Sequence, residues 1–275
     1  MARMNIFSEK HVGEYPEDKT GWDVYSLLFG PIPILAHRND NSYNETQDWH
    51  STFSWRKSNI RRPLSDILQL LRDYGALRHP KTGRGRLLRS RLHAKLGPTV
   101  ERFTRQVNAL NIRRIRDVNP DDNKYPELIT AMALAVEEVG HLKSQRTVPM
   151  LGSKALHFVL PEFFPVWDTA RINKECLSHE NMAVLKQQIM EITEELSSDC
   201  TKTYAAYIHL MVTELSKLSE AQYLRIEKAC IARAVGGRYA SWAKQVLDWH
   251  YDDMSSIVFE ICLLGKHRRH IKLRK

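Results

Sequence analysis

From Pro63 onward the apolar residues recur every three or four positions, and this period restricts the chain to a narrow set of architectures. Leu64, Ile67, Leu68, Leu71 and Tyr74 form one stripe; Leu128, Ile129, Met132, Val136 and Val139 form a second, opened near Pro126 and closed at Gly140. Met182, Leu185, Ile189, Ile192 and Leu196 make a third, and Tyr204, Ile208, Met211, Leu215 and Leu218 a fourth. Residues spaced in this way share one face of a helix. A proline in the first turn and a glycine past the last are ordinary helix punctuation. Further helices are expected over residues 99–110, 220–234, 239–249 and 254–264, the last stopped by Gly265. No segment of convincing length alternates with period two, so the expected fold class is all-α, with many helices joined by short loops. The stripes are core faces, not cofactor boxes.

A chain of 275 residues can bury a substantial core, as one large domain or as two lobes with a cleft between them. No apolar run approaches the roughly 18 residues of a membrane span, and the first residues lack the pattern of a secretory signal. An intracellular protein without membrane contact is therefore expected. Cys176, Cys200, Cys230 and Cys262 are too widely spaced for a structural zinc site and read as reduced thiols. The first sixty residues are poorly periodic, rich in turns and tryptophan, and are expected to pack on the main body as an N-terminal extension (1–60). A helical domain (61–265) and a basic C-terminal tail (266–275) follow.

The net charge of +9 is unevenly distributed. Lys266, Arg268, Arg269, Lys272, Arg274 and Lys275 supply six positive charges in the last ten residues, leaving +3 for the rest. A second concentration lies inside the folded region, where residues 56–95 hold twelve Lys and Arg against Asp66 and Asp73 alone. Two basic zones favour a polyanionic partner, the alternative being solvated faces of ordinary helices. Within the second zone, Lys81, Arg84, Arg86, Arg89 and Arg91 belong to a glycine-interrupted loop running into a basic helix. Its glycines would let the backbone approach a phosphate and its arginines would grip one bidentately. The alternative is a merely exposed loop. Arg113, Arg114 and Arg116 lie close behind.

The most specific stretch spans residues 148–171 and reads VPMLGSKALHFVLPEFFPVWDTAR. A helix ending near Gly140 would be followed by a tight turn at Leu151, Gly152 and Ser153, and a short helix would start at about Lys154. The free N–H groups at such a start, near Gly152 and Ser153, make a natural phosphate seat. The loop from Pro161 to Pro165 is stiffened by its prolines and delivers Trp167 and Asp168 to the start of the next helix. There an aspartate is both an N-cap and a fixed carboxylate.

This stretch resembles the helix-hairpin-helix (HhH-GPD) base-excision DNA glycosylases. Val-Pro-Met-Leu-Gly-Ser-Lys (148–154) is similar to their Leu-Pro-Gly-Val-Gly-x-Lys hairpin, and Phe-Pro-Val-Trp-Asp (164–168) to their Phe-Pro-Ile-x-Asp segment; the 8-oxoguanine-glycosylase-like branch is nearest. The resemblance covers 24 of 275 residues. It implies a helical fold of two lobes flanking a cleft, a hairpin that holds a DNA phosphate, Asp168 as the carboxylate assisting N-glycosidic cleavage, and Lys154 as an amine that attacks the sugar. It also implies a monomer acting on duplex DNA. Met150 stands where the family has its first hairpin glycine. Only fourteen residues separate Lys154 from Asp168, about one helical turn fewer than is usual there, so a short second hairpin helix is expected.

The mechanistic fit of these residues to such a reaction can also be argued without the family. Removing a base from deoxyribose generates oxocarbenium character at the sugar, which a fixed carboxylate stabilises or towards which it orients water. A desolvated lysine amine can instead attack the sugar carbon, giving a Schiff base and then strand cleavage. For Asp168 the alternative is a simple N-cap, and for Lys154 a phosphate or solvent contact. Eversion of a base requires a pocket with aromatic or apolar walls. Trp167, Trp242 and Trp249 are the candidates for it, each alternatively a core residue. His157 reads as a hairpin residue rather than a ligand, and neither a metal nor a cofactor is expected. Two other readings remain at this stage: a non-catalytic helical DNA-binding protein, and a helical protein-interaction module with a basic tail.

Overall fold

The computed structural model describes residues 5–14, 83–141, 149–160, 162–167, 176–236 and 254–273, and every regular element among them is helical. In chain order these are α1 (Glu9–Glu14), α2 (Gly83–Ala109), a 3-10 turn (Ile115–Asp117), α3 (Tyr125–Gly140), α4 (Pro149–Val159), α5 (His179–Ile192), α6 (Asp199–Leu215), α7 (Glu220–Gly236) and α8 (Ser255–Leu273). The stripe from Leu64 to Tyr74 and the expected helix over 239–249 lie outside the described residues. No described helix is long and apolar enough to cross a membrane.

The second stripe and most of the third and fourth form the inner faces of α3, α5 and α6, while Ile192 is half-buried at the end of α5 and Leu196 and Leu218 lie beyond the helices in which they were expected. Leu128, Ile129, Met132, Val136 and Val139 of α3, Met182, Leu185 and Ile189 of α5, and Tyr204, Ile208, Met211 and Leu215 of α6 are all buried. Helix starts follow local chemistry. Ser178 and Ser198 cap α5 and α6 by accepting from the backbone N–H groups of Asn181 and Thr201, and Pro126 sits in the first turn of α3, where no N–H is needed. Helix α3 packs against α2, α4 and α6, with α5 along α6. At the other end, α1 packs on α8 and α7, so both chain ends meet in one continuous core running from Ile6 to Leu264.

Two helices are longer than their sequence signals indicate. Helix α2 starts at Gly83 rather than near Thr99 and runs through Pro98, which removes one rung of the hydrogen-bond ladder at a cost of about 3 kcal/mol. Leu92 and Leu96 before the proline and Val100, Phe103 and Val107 after it are all buried on one face. Burying a side chain of this size is worth roughly 1.5–3 kcal/mol, so five of them outweigh the lost rung. Residues 83–91, expected as a loop running into a basic helix, are thus helical throughout, with Gly83 and Gly85 in the first turn, where their low propensity costs least. Helix α8 likewise does not stop at Gly265 but continues to Leu273, taking in most of the expected tail. Its last turns carry Lys and Arg, which the negative end of the helix dipole favours.

Helices α3 and α4 pack against each other, and at Gly152 the backbone of α4 lies directly against that of α3. A Cβ built there would stand 2.1 Å from the Val136 carbonyl oxygen and 3.1 Å from the Gly140 nitrogen. Backbone cannot yield as a side chain can, so Gly152→Ala is expected to lower stability by about 1–3 kcal/mol. Gly13→Ala in α1, where nothing lies within 4 Å, is expected to be neutral or to stabilise by about 0.4–1 kcal/mol. Urea unfolding of both variants checks this, and equal midpoints would contradict the packing of α3 on α4.

Candidate active site

After α4 the chain turns on Leu160, whose carbonyl accepts from the N–H groups of Phe163 and Phe164, and then runs through residues 162–167 as buried, irregular backbone. Such a segment lacks the ladder that satisfies peptide groups inside a helix, and burial denies it water. Four side chains from three helices serve instead. His157 of α4 donates from Nδ1 to the Phe164 carbonyl at 2.6 Å, which fixes its tautomer. Tyr204 of α6 donates its hydroxyl to the Pro165 carbonyl at 2.8 Å. Glu260 of α8 accepts from the Val166 N–H. Ser153 of α4 accepts from the Trp167 N–H at 2.9 Å.

These side chains are themselves buried, Ser153 and Tyr204 completely and Glu260 to within 2%. Burial pushes the Tyr204 phenol well above its ordinary value, and the Glu260 carboxylate nearby adds to the shift, so the phenol keeps the proton it donates. Aromatic rings fill the space around the segment. Phe103 packs on Phe163 and Phe164 with ring centres 5.4 and 4.8 Å apart, and Tyr207 meets Trp167 edge-on at 5.1 Å.

The sequence-derived residues fall into distinct positions. Ser153 and Trp167, which immediately precede Lys154 and Asp168, are directly hydrogen-bonded, so α4 and the proline-flanked segment meet there. Lys154 is 5% exposed, which argues against a solvent contact. Asp168 lies outside the described residues, as do Lys81, Trp242 and Trp249. The turn expected at Leu151, Gly152 and Ser153 is absent, because α4 begins at Pro149 and carries these residues inside its first turns. Gly152 and Ser153 are therefore not a phosphate seat. The glycine serves contact with α3, and the serine hydroxyl is committed to Trp167. Trp167 is 2% exposed and belongs to the core rather than to a pocket wall.

The basic residues divide as well. Arg84, Arg86 and Arg89 lie on α2, where the helix replaces the expected loop, and Arg91 and Arg105 are exposed further along it. The cluster behind is partly neutralised: Arg114 is bonded to Asp117, and Arg116 faces Glu220 and stacks on Tyr223 at 4.7 Å. Among the described residues no group of His, Cys, Asp or Glu is arranged to hold a metal ion. Burial pushes the Cys200 thiol up to about 12, which leaves it unsuited to nucleophilic work near neutral pH.

Sequence reasoning missed Tyr204 and Glu260. Tyr204 was hidden in an apolar stripe, but Glu260 carried a usable signal as the one charge in the run Ile-Val-Phe-Glu-Ile-Cys-Leu-Leu (257–264). A carboxylate in a wholly apolar run of a helix is buried only with a partner. The chain matches no protein-family model, no curated protein and no solved structure.

Removing one member of the clamp while keeping its ring isolates the bond. Tyr204→Phe leaves the Pro165 carbonyl without its donor and is expected to cost about 1–3 kcal/mol with helical content retained. Urea denaturation followed by circular dichroism measures this, and an unchanged midpoint would show that the bond contributes nothing.

Proposed function

We propose that this protein is a DNA N-glycosylase of helix-hairpin-helix type, with the two-lobed fold of that superfamily, which everts a damaged or modified base from duplex DNA and excises it. The observation that carries the reading is the bond from the Trp167 N–H to the Ser153 hydroxyl. It joins the α4 residue before Lys154 to the residue before Asp168, fourteen positions further along the chain. The buried clamp on residues 162–167 supports it further. A catalytic carboxylate must be held to within about half an ångström, which buried backbone on a helical frame provides and a surface loop does not.

In this account the Asp168 carboxylate stabilises positive charge on the deoxyribose as the N-glycosidic bond breaks and orients the attacking water. Lys154, largely shielded from bulk water, is the amine for an accompanying lyase step: attack at the sugar carbon expels the base and leaves a Schiff base that resolves by strand cleavage. An oxidised purine is the substrate by analogy with the nearest branch, and a modified base of foreign DNA is the other substrate class. The exposed Arg91 and Arg105 of α2 are cationic groups of the kind that a duplex backbone attracts.

Incubation of the purified chain with a panel of duplexes, each carrying one modified base, is expected to release that free base from at least one of them. Asp168→Asn is expected to lower the rate by about a hundredfold or more. Borohydride is expected to trap a covalent protein–DNA adduct that Lys154→Gln abolishes. Salt-dependent binding of every duplex with no base released would instead identify a non-catalytic DNA-binding protein.

A further inference from the structure

Cys230 of α7 and Cys262 of α8 are fully buried free thiols, and their side chains are hydrogen-bonded to each other where the two helices touch. The start of the chain covers this contact. The Cys262 thiol donates to the Ser8 carbonyl at 3.9 Å, and α1 packs on both helices. We propose that Cys230 and Cys262 form a reversible disulfide site cross-linking α7 to α8, and that residues 5–14 are a strap controlling the access of an oxidant to it. This goes beyond the glycosylase reading and does not depend on it.

The strap is held at three points. Glu214 accepts from the Ile6 N–H, Arg233 donates to the Gly13 carbonyl, and the Phe7 ring packs on Phe259, three residues before Cys262. A short segment held in this way opens at a lower free energy than the core beneath it. Once it lifts, Cys262 is the thiol that reacts first, because the bond to Cys262, with burial, holds the Cys230 thiol well above its ordinary value. Cys262 loses its proton and attacks one sulfur of a small disulfide such as oxidised glutathione, and a glutathione thiolate leaves. Cys230 then gives up its proton and attacks the Cys262 sulfur of the mixed disulfide, expelling the second glutathione. The protein has lost two hydrogens, with their electrons, and the oxidant has become two thiols. Because the two sulfurs already touch, the second step is intramolecular and needs no encounter. The new bond closes a loop of roughly thirty residues, which restricts the unfolded chain.

The test incubates the full chain with oxidised glutathione under native conditions, digests it without reduction and reads the peptides by mass spectrometry. A peptide pair joined through Cys230 and Cys262 is expected, released by dithiothreitol and absent from Cys230→Ser and Cys262→Ser. The oxidised chain should melt about 5–10 °C above the reduced one. Phe7→Ala, which removes the ring packed on Phe259, should speed formation of the link by about tenfold or more. Arg233→Gln, which weakens the hold on the Gly13 carbonyl, should speed it by about threefold. Glutathione adducts on the half-buried Cys176 or Cys200 with no link between Cys230 and Cys262 would overturn the disulfide site. A link that forms at one rate in the wild-type chain and both strap variants would overturn the role of the strap. If Phe7→Ala does not fold, Arg233→Gln, which leaves every apolar core side chain in place, decides that point alone. No readout involves DNA, so failure here leaves the glycosylase reading untouched, and failure of that reading leaves this proposal standing.

Discussion

A stretch of irregular backbone buried inside a helical protein must find partners for every peptide group, and the arrangement of residues 162–167 follows from that constraint. Helices satisfy their own backbone, so they tolerate burial at no extra cost. Four successive residues, Phe164 to Trp167, each have one backbone group paired by a side chain, from His157, Tyr204, Glu260 and Ser153 in turn. The bonds draw α4, α6 and α8 towards one short segment, which makes that segment the junction of the fold. Leaving any one of these groups unpaired would cost about 1–3 kcal/mol, a large fraction of the stability of an ordinary domain.

The rest of the packing serves this junction. Gly152 lets α4 lie directly on the α3 backbone, which brings Ser153 and His157 to the segment from one side. Helix α8 brings Glu260 from another side and is in turn braced by the N-terminus. The Ile6 N–H is held by Glu214 at 3.2 Å, and Arg233 reaches the Gly13 carbonyl at 2.5 Å. Phe7 packs on Phe259, the neighbour of Glu260, with ring centres 5.9 Å apart. Residues at the start of the chain thus support a helix near its end, which supports the loop in its middle.

Much of this was legible in the sequence wherever one local rule acted alone. The helices α3, α5 and α6 follow from stripes that are buried as their spacing requires. The ends of α2 and α8 were misread because Pro98 and Gly265 are breakers by propensity, whereas a continuous buried face on both sides decided the outcome. Gly152 was ambiguous for a different reason: a glycine that admits a phosphate and one that admits a neighbouring helix look alike until the helix start is known. The clamp was not legible, because its bonds join residues 39 and 94 positions apart and no local pattern encodes such pairs.

In the proposed reaction the Asp168 carboxylate acts on a deoxyribose carrying positive charge. Groups built for a transition state bind its mimics far more tightly than neutral look-alikes. The direct measurement is the affinity of the protein for two duplexes that differ at one position, a cationic pyrrolidine analogue of the sugar in one and a neutral tetrahydrofuran in the other. The account predicts a preference for the cation of about a hundredfold or more, lost in Asp168→Asn. Equal affinity of the wild-type protein for the two duplexes would contradict it.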